Sequence, residues 1–431
     1  MTRAGIRLVA ENTRSWVEID EARLKENYRV VREAAGAEVL AVVKANAYGH
    51  GLERCAVALA RAGARWLGVA DAVEGVRVRR ALEAEKLTAG PSTSAAARPP
   101  LGMTDPSELN LLAMCGVTRD EVSAIAEHGL TPVVWTMDQV ELLRGTGARV
   151  HVEIETGMGR QGVRPGVELE ELLRTILGAG LKLEGACTHF HSAEIAGSER
   201  TKEQKKRFEE ALGQIDGFGG VTPTSQNRDV GYPDSRGFAP QWVHAGASSS
   251  VDVGEDAGWL EKLAQSGGAR AMVRSGIAVY GYCLPAVGAE SKIRAKLKPV
   301  MTWKTRVLDV REVAARETIG YNATFTAKQA MRVALLPVGY ADGMRRELSG
   351  TDERAGGWVM VRGSDGKMHR ANIVGRISMN LTTVDVTATG GVGVGDEVVL
   401  LGDGVTADDH ARIAGTISYE ILCGIKASCQ F

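Results

Sequence analysis

VLAVVKANAYGHG, residues 39–51, opens with five apolar residues and then places a lysine. The run 39–43 is short and continuously apolar, which reads as a strand buried on both faces. Lys44 closes that strand. A solvated surface lysine needs no such approach, and a buried one must be neutralised, paired or chemically used. Small residues, Tyr48 and a histidine flanked by glycines follow it. What the ammonium group is for depends on where the other polar residues of the chain fall.

The same texture recurs along the chain. WLGVA (66–70), LLAMC (111–115), PVVWT (132–136), RVHVEI (149–154), LEGACTHF (183–190), WVHAG (242–246) and AMVRSG (271–276) are further short apolar runs. Amphipathic segments lie between them. TRDEVSAIAEHG carries a capping box, Thr118 with Glu121 three residues on, and SERTKEQKKRFEEALGQI is a charged helix with one apolar stripe. Apolar strands alternating with helices predict a parallel sheet covered on its outer face. Eight such repeats within residues 14–290 fit an α/β fold of the (β/α)8 TIM barrel kind. An open doubly wound sheet fits less well, because neither G-x-G-x-x-G nor a P-loop follows any strand.

From about residue 298 the pattern changes to period two. MTWKTRVLDV alternates Trp303, Thr305 and Val307 with Lys304 and Arg306, and short strand-like segments separated by glycine turns follow. Residues 298–431 therefore read as a mainly β C-terminal domain, to which residues 1–13 are expected to add an edge. Two stretches rich in Gly, Pro, Ser and Thr, 85–108 and 219–240, break the rhythm. They read as surface insertions between a helix and the next strand, on the barrel's N-terminal side.

Composition excludes several classes of function. With 44% hydrophobic and 24% charged residues, the chain has the balance of a globular protein, not a disordered one. A net charge of -1 offers no electrostatic footprint for nucleic acid or an anionic membrane. No apolar run approaches the ~18 residues a membrane span needs. The first residues lack the apolar core of a signal peptide, so a cytoplasmic location is expected. Six cysteines, none in a CxxC pair, read as thiols in a reducing compartment, and no metal site is expected.

In a barrel of this kind function belongs at the C-terminal ends of the strands. Lys44 follows the first strand, and Arg160 lies just past the fifth in IETGMGRQGV. His189 closes the sixth, Ser248 follows the seventh in VHAGASSS, and Arg274 ends the eighth in MVRSGI. Singly each has a plainer reading: a solvated strand-end lysine, a satisfied core histidine, two structural ion pairs. Together they form a rim with no carboxylate pair and no metal-ligand set. Such a rim suits an anionic, phosphate-bearing cofactor held by a lysine.

These residues also carry a family likeness. AVVKANAYGHG resembles the cofactor-lysine signature of the alanine racemases, pyridoxal-phosphate enzymes built from a barrel and a β domain. TGMGRQG, THF, RSGIAVYG, IGYNATFTA, LPVGYADG, GRISMN and ISYEI follow in that family's order, so the likeness spans almost the whole chain. It implies pyridoxal 5'-phosphate held on Lys44 as a Schiff base, which would explain a lysine at the end of a buried strand. It implies a phosphate cup of Tyr48, Ser248, the Gly276 and Ile277 amides, and Tyr419. Arg274 would face the pyridine nitrogen with His189 bridging toward it, and Arg160 and the Met379 backbone would bind the substrate carboxylate.

Racemisation needs a proton removed from one face of Cα and returned to the other, so two opposed groups are expected. The likeness assigns Lys44 to D-alanine and Tyr321 to L-alanine. It takes Tyr321 from a partner subunit and so implies a homodimer with shared sites, making D-alanine for bacterial peptidoglycan. Tyr340 reads as an entrance residue or a structural tyrosine, and His50 and His191 as loop or supporting histidines.

Three positions depart from the family. Glu153 stands where many members have a lysine, carbamylated in some, and is expected to support Arg160 directly or through water. Asn380 replaces a usual aspartate, and Ala247 replaces an asparagine that commonly precedes the phosphate serine. The first two keep open a broader racemase that also takes serine. A decarboxylase or D-threonine aldolase fits less well, because Tyr321 and Arg160 sit in racemase contexts. A non-catalytic pyridoxal-phosphate carrier would lack a second domain.

Overall fold

The computed structural model describes residues 14–88, 109–219 and 239–430. The chain forms two compact units. One comprises Ala22–Ala47 and Leu52–Lys298; the other, among the described residues, comprises 14–21, Tyr48–Gly51 and 299–430. A first strand, β1 (Ser15–Ile19), belongs to the second unit.

The larger unit is a closed parallel barrel of eight strands. They are β2 (Glu38–Val42), β3 (Trp66–Val69), β4 (Asn110–Ala113), β5 (Thr131–Val134), β6 (Arg149–Glu153), β7 (Lys182–Cys187), β8 (Trp242–His244) and β9 (Arg270–Ser275). Each falls on one of the eight apolar runs of the sequence. Closure is made by β9 pairing in parallel with β2, which sets Leu40 beside Arg274 and Ala41 beside Ser275. Helices cover the outside, among them Leu52–Arg61, Val167–Gly178 and Glu199–Gly219. In the last of these Phe208, Ala211, Leu212 and Ile215 are buried, a spacing of three, four and seven residues that puts one stripe on the barrel.

The barrel interior is filled by side chains of unusual kinds. Trp66 and Trp242 meet edge to face with centroids 5.5 Å apart, and the ring of His151 lies 5.4 Å from Trp66. Glycine makes the space for them. A Cβ on Gly185 of β7 would stand 2.6 Å from Cε1 and Nδ1 of His151.

The two expected insertions do lie between a helix and the next strand. Residues 85–88 continue the helix Ala72–Thr88 that precedes β4, and 89–108 lie outside the described residues. Of 219–240 only 219, 239 and 240 are described, between the helix Glu199–Gly219 and β8.

The second unit is mainly β. Its six-stranded sheet runs Met368–Asn372, Trp358–Arg362, Glu397–Leu401, Met301–Arg306, β1, Ser428–Gln430. β1 pairs antiparallel with Met301–Arg306, from Ser15 opposite Thr305 to Ile19 opposite Met301. Both strands alternate buried and half-buried positions, so Val17 and Trp303 face the core while Glu18 and Lys304 form an ion pair at 2.9 Å outside it. The strand taken from the N-terminal segment is thus 15–19, and the expected edge at 1–13 lies outside the described residues. A three-stranded sheet (Asp309–Val313, Met331–Leu336, Thr382–Asp385) completes the β framework.

Candidate active site

The barrel unit carries one set of the expected residues. Lys44, half-buried, lies two residues past the end of β2, and the chain then turns left-handed over four residues without a glycine: φ is 56° at Ala45, 55° at Asn46, 55° at Ala47 and 53° at Tyr48. Such a conformation costs about 1–2 kcal/mol per residue, so specific contacts must hold it. Asn46 N donates to Glu74 Oε1 at 2.8 Å, Asn46 Oδ1 accepts from Leu52 N at 3.1 Å, and Ala47 N returns to Val43 O at 2.7 Å. The second oxygen of Glu74 accepts from Ala70 N at 2.9 Å. Lys44 forms no ion pair among the described residues.

Arg274 ends β9 and is 6% exposed, with no carboxylate against it among the described residues. Its Nη2 donates to Thr188 O and lies 3.0 Å from Nδ1 of His189. Because a guanidinium only donates, Nδ1 is the acceptor and a neutral His189 carries its proton on Nε2. Burial, followed by the positive charges of Arg274, Arg160 and Lys44, lowers the His189 pKa to about 3. His189 is therefore neutral across the physiological range, and these cations share its surroundings. Arg274 Nε is buried with no hydrogen-bond partner.

Ser248 opens a short helix (Ser248–Val253) after β8. Its Oγ accepts from Gly276 N and Ala278 N, both at 3.2 Å, and lies 3.1 Å from Ser275 Oγ. The Ile277 amide lies between those two donors in sequence, on the first residue of a 3-10 turn (Ile277–Tyr280). A hydroxyl and several backbone N–H groups gathered at one point form a cradle for an anion. With an amine, a buried unpaired guanidinium donor and this cradle, the unit has a donor set that fits pyridoxal 5'-phosphate.

Arg160 is half-exposed on the glycine-rich loop after β6. Glu153 is 4% exposed, and its Oε1 lies 4.0 Å from Arg160 Nη2. The closer partner of Glu153 is Gln161, whose Nε2 donates to Oε2 at 2.7 Å. Support for Arg160 from Glu153 is thus a long contact, with Gln161 as the residue that satisfies the buried carboxylate.

The β unit carries the remaining set. Tyr48 is 8% exposed, its ring centroid is 6.0 Å from that of Tyr419, and burial pushes its phenol pKa upward. Gly49 (φ 82°) permits this approach, since a Cβ there would stand 2.5 Å from Leu422 O. His50 is buried and its Nδ1 donates to Tyr48 O at 3.0 Å. Tyr321 and Met379 are 64% and 56% exposed. The Met379 loop is stitched to the Tyr340 loop: Tyr340 N donates to Ser378 O at 3.1 Å and Ala341 N to Met379 O at 2.9 Å. Tyr321, Tyr340, Arg345, Ile377, Glu420 and Cys423 line an open cavity of about 820 Å³ within this unit.

The structure thus groups Lys44, Arg160, His189 and Arg274; Ser248 with Gly276 and Ile277; Tyr48 with Tyr419; Tyr321 with Tyr340 in one cavity; and Met379 with the Tyr340 loop. Sequence reasoning passed over Gln161, Thr188, His151, His244 and Glu184. The last three are buried polar residues inside apolar strands, and that position was the signal that could have found them. No group of residues suited to a metal ion occurs among the described residues.

Comparison with known proteins follows the same two-part division. The family described as Alanine racemase, N-terminal domain matches residues 19–225, and Alanine racemase, C-terminal domain matches residues 300–431. The chain is similar to the alanine racemase of Syntrophobacter fumaroxidans, 34% identical over 424 residues that cover 95% of each chain. It is equally similar to that of Symbiobacterium thermophilum, 34% identical with 96% and 95% covered. Among solved structures it is similar to the alanine racemase of Streptomyces coelicolor A3(2), with a TM-score of 0.74, 30% identity and 97% of each chain covered.

Proposed function

This chain belongs to the alanine racemase family, and from that premise we propose that it interconverts L-alanine and D-alanine by proton transfer at Cα, with pyridoxal 5'-phosphate held on Lys44. The observation that carries the reading is the buried Arg274 guanidinium, free of any carboxylate among the described residues, bonded to His189 in the charge environment of Lys44 and Arg160. The cofactor, when bound, supplies the electron sink that makes the alanine Cα proton removable.

Arg274 would donate to the pyridine nitrogen of the bound cofactor. A guanidinium does not readily give up its proton, so a cofactor held there would supply only a modest electron sink. That choice favours racemisation over side reactions. The Lys44 amine would remove and return the proton on the face exposed in D-alanine. Tyr321 of the partner subunit does the same on the opposite face. His189, neutral with its proton on Nε2, can donate to the Tyr321 oxygen and favour its ionised form. Arg160 and the Met379 N–H hold the substrate carboxylate, and the Ser248 cradle with Tyr48 and Tyr419 holds the phosphate.

The working form is a homodimer with shared sites, which accords with the exposure of Tyr321 and Met379 on a single chain. D-alanine for cell-wall peptidoglycan, made in the cytoplasm, is the biological role that follows. No helix among the described residues is long and apolar enough to cross a membrane. A second reading, a racemase that also takes serine, rests on Glu153 and Asn380 standing where the family has other residues. It differs in substrate and shares the mechanism.

Borohydride reduction of the yellow protein, followed by peptide mass analysis, tests the cofactor assignment. A reduced pyridoxyl adduct on the Lys44 peptide is expected. An adduct on another lysine, or none, would overturn it.

A further inference from the structure

The barrel interior holds a polar array that the racemase mechanism does not use. His151 of β6 and His244 of β8 are both 0% exposed, and Nδ1 of His151 lies 2.8 Å from Nε2 of His244. At one end of the pair His151 Nε2 faces Glu184 Oε2 at 3.5 Å, an electrostatic contact longer than a well-made hydrogen bond, and Glu184 is itself held by Arg149 at 3.0 Å and Thr131 at 3.3 Å. At the other end His244 Nδ1 is buried without a hydrogen-bond partner. His244 pairs with Met272 of β9, two residues before Arg274, and the Arg274 charge acts on both histidines.

One N–H must lie between the two rings, and its direction is decided at the ends. If His151 donated it, His151 Nε2 would turn a lone pair toward the Glu184 carboxylate, and a protonated His244 Nδ1 would be buried with no acceptor. If His244 donates it, His151 Nε2–H faces the carboxylate and His244 is left with a buried lone pair, not with a buried N–H that has no acceptor. Both ends favour the second arrangement.

We propose that the His151–His244 pair, oriented by Glu184, is a positioning element for Arg274: it keeps an unprotonated His244 Nδ1 in the barrel interior and so fixes how that guanidinium directs its N–H groups. The proposal rests on the racemase reading only for the task of Arg274. Burial lowers the basicity of both histidines, in accord with a neutral pair. Gly185 belongs to the element as well, since its missing side chain is what admits the His151 ring.

The test is a long-range ¹H–¹⁵N correlation spectrum of the full chain with ¹⁵N-labelled histidine, with and without pyridoxal 5'-phosphate, assigned with His151→Asn and His244→Asn. Protons on Nε2 alone at both rings, unchanged between pH 6 and 8, are expected. A proton on His244 Nδ1, or a doubly protonated ring, would overturn the proposal. Variants at Glu184 give a second readout. Glu184→Leu removes the acceptor and is expected to mix the tautomers, move the cofactor absorption band and lower kcat about tenfold with little change in KM. Glu184→Gln keeps an acceptor oxygen and should restore all three. A Glu184→Leu protein with unmoved tautomers, band and kcat would also overturn it. Because the tautomers are read without turnover, wild-type protein that shows them yet makes no D-alanine would sustain the array and remove the racemase reading instead.

Discussion

Arg274 Nη2 donates to Nδ1 of His189 at 3.0 Å, which leaves Nε2 as the only nitrogen of a neutral His189 that can carry a proton. The pair joins the residue assigned to the cofactor ring to the residue assigned to the catalytic tyrosine. Four histidines share the neutral, buried state. Burial lowers the pKa to about 3 at His189 and about 4 at His410, and lowers it at His151 and His244 as well.

Acid sensitivity follows from those shifts. Unfolded histidines protonate near 6.5, so as the pH falls below about 6.5 the unfolded chain binds protons that the folded chain refuses. Stability is then lost on acidification at about 1.4 kcal/mol per pH unit for each such histidine. Urea midpoints measured between pH 7 and 4.5 should fall steadily. A flat profile would show that these histidines are not buried neutral.

Tyr321→Phe is expected to lower turnover of L-alanine by at least about a hundredfold, the usual worth of a positioned base. The same variant should still exchange the Cα hydrogen of D-alanine through Lys44. Deuterium incorporation into each enantiomer checks this. Equal loss on both sides would remove the two-base scheme.

Shared sites make a mixing prediction. Neither Lys44→Ala nor Tyr321→Phe alone should racemise alanine, but denaturing and refolding them together should restore about a quarter of wild-type activity. Half the dimers are then mixed, and one of the two sites in each is intact. Absence of recovery would place Tyr321 in the site of its own chain.

Gly185→Ala tests the barrel interior. The new Cβ would stand 2.6 Å from the His151 ring, which cannot retreat past Trp66 at 5.4 Å. A loss of about 2 kcal/mol or more is expected in urea unfolding. Gly197→Ala, in a position with open space but φ of 65°, should cost only about 1 kcal/mol.

The barrel was legible because each strand is an unbroken apolar run, a signal that survives without knowledge of pairing. β1 was harder to place, since the partners of SWVEI lie at Met301–Arg306 and Ser428–Gln430, far along the chain. The rim positions of Lys44, His189, Ser248 and Arg274 could be read from strand ends. The left-handed turn at 45–48 could not, because Ala-Asn-Ala-Tyr has no glycine and its local preferences oppose the conformation that Glu74 and Asn46 hold. Nor could the Glu184–His151–His244 array be read, for three polar residues on three strands become a unit only when the barrel closes.

The measurement closest to the central claim is chiral chromatography of the purified protein with added pyridoxal 5'-phosphate and L-alanine in deuterated water, with L-serine run in parallel. D-alanine carrying deuterium at Cα is expected, with serine slower. Serine turnover equal to that of alanine would favour the broader racemase. A protein that binds the cofactor on Lys44 yet converts neither amino acid would contradict the account.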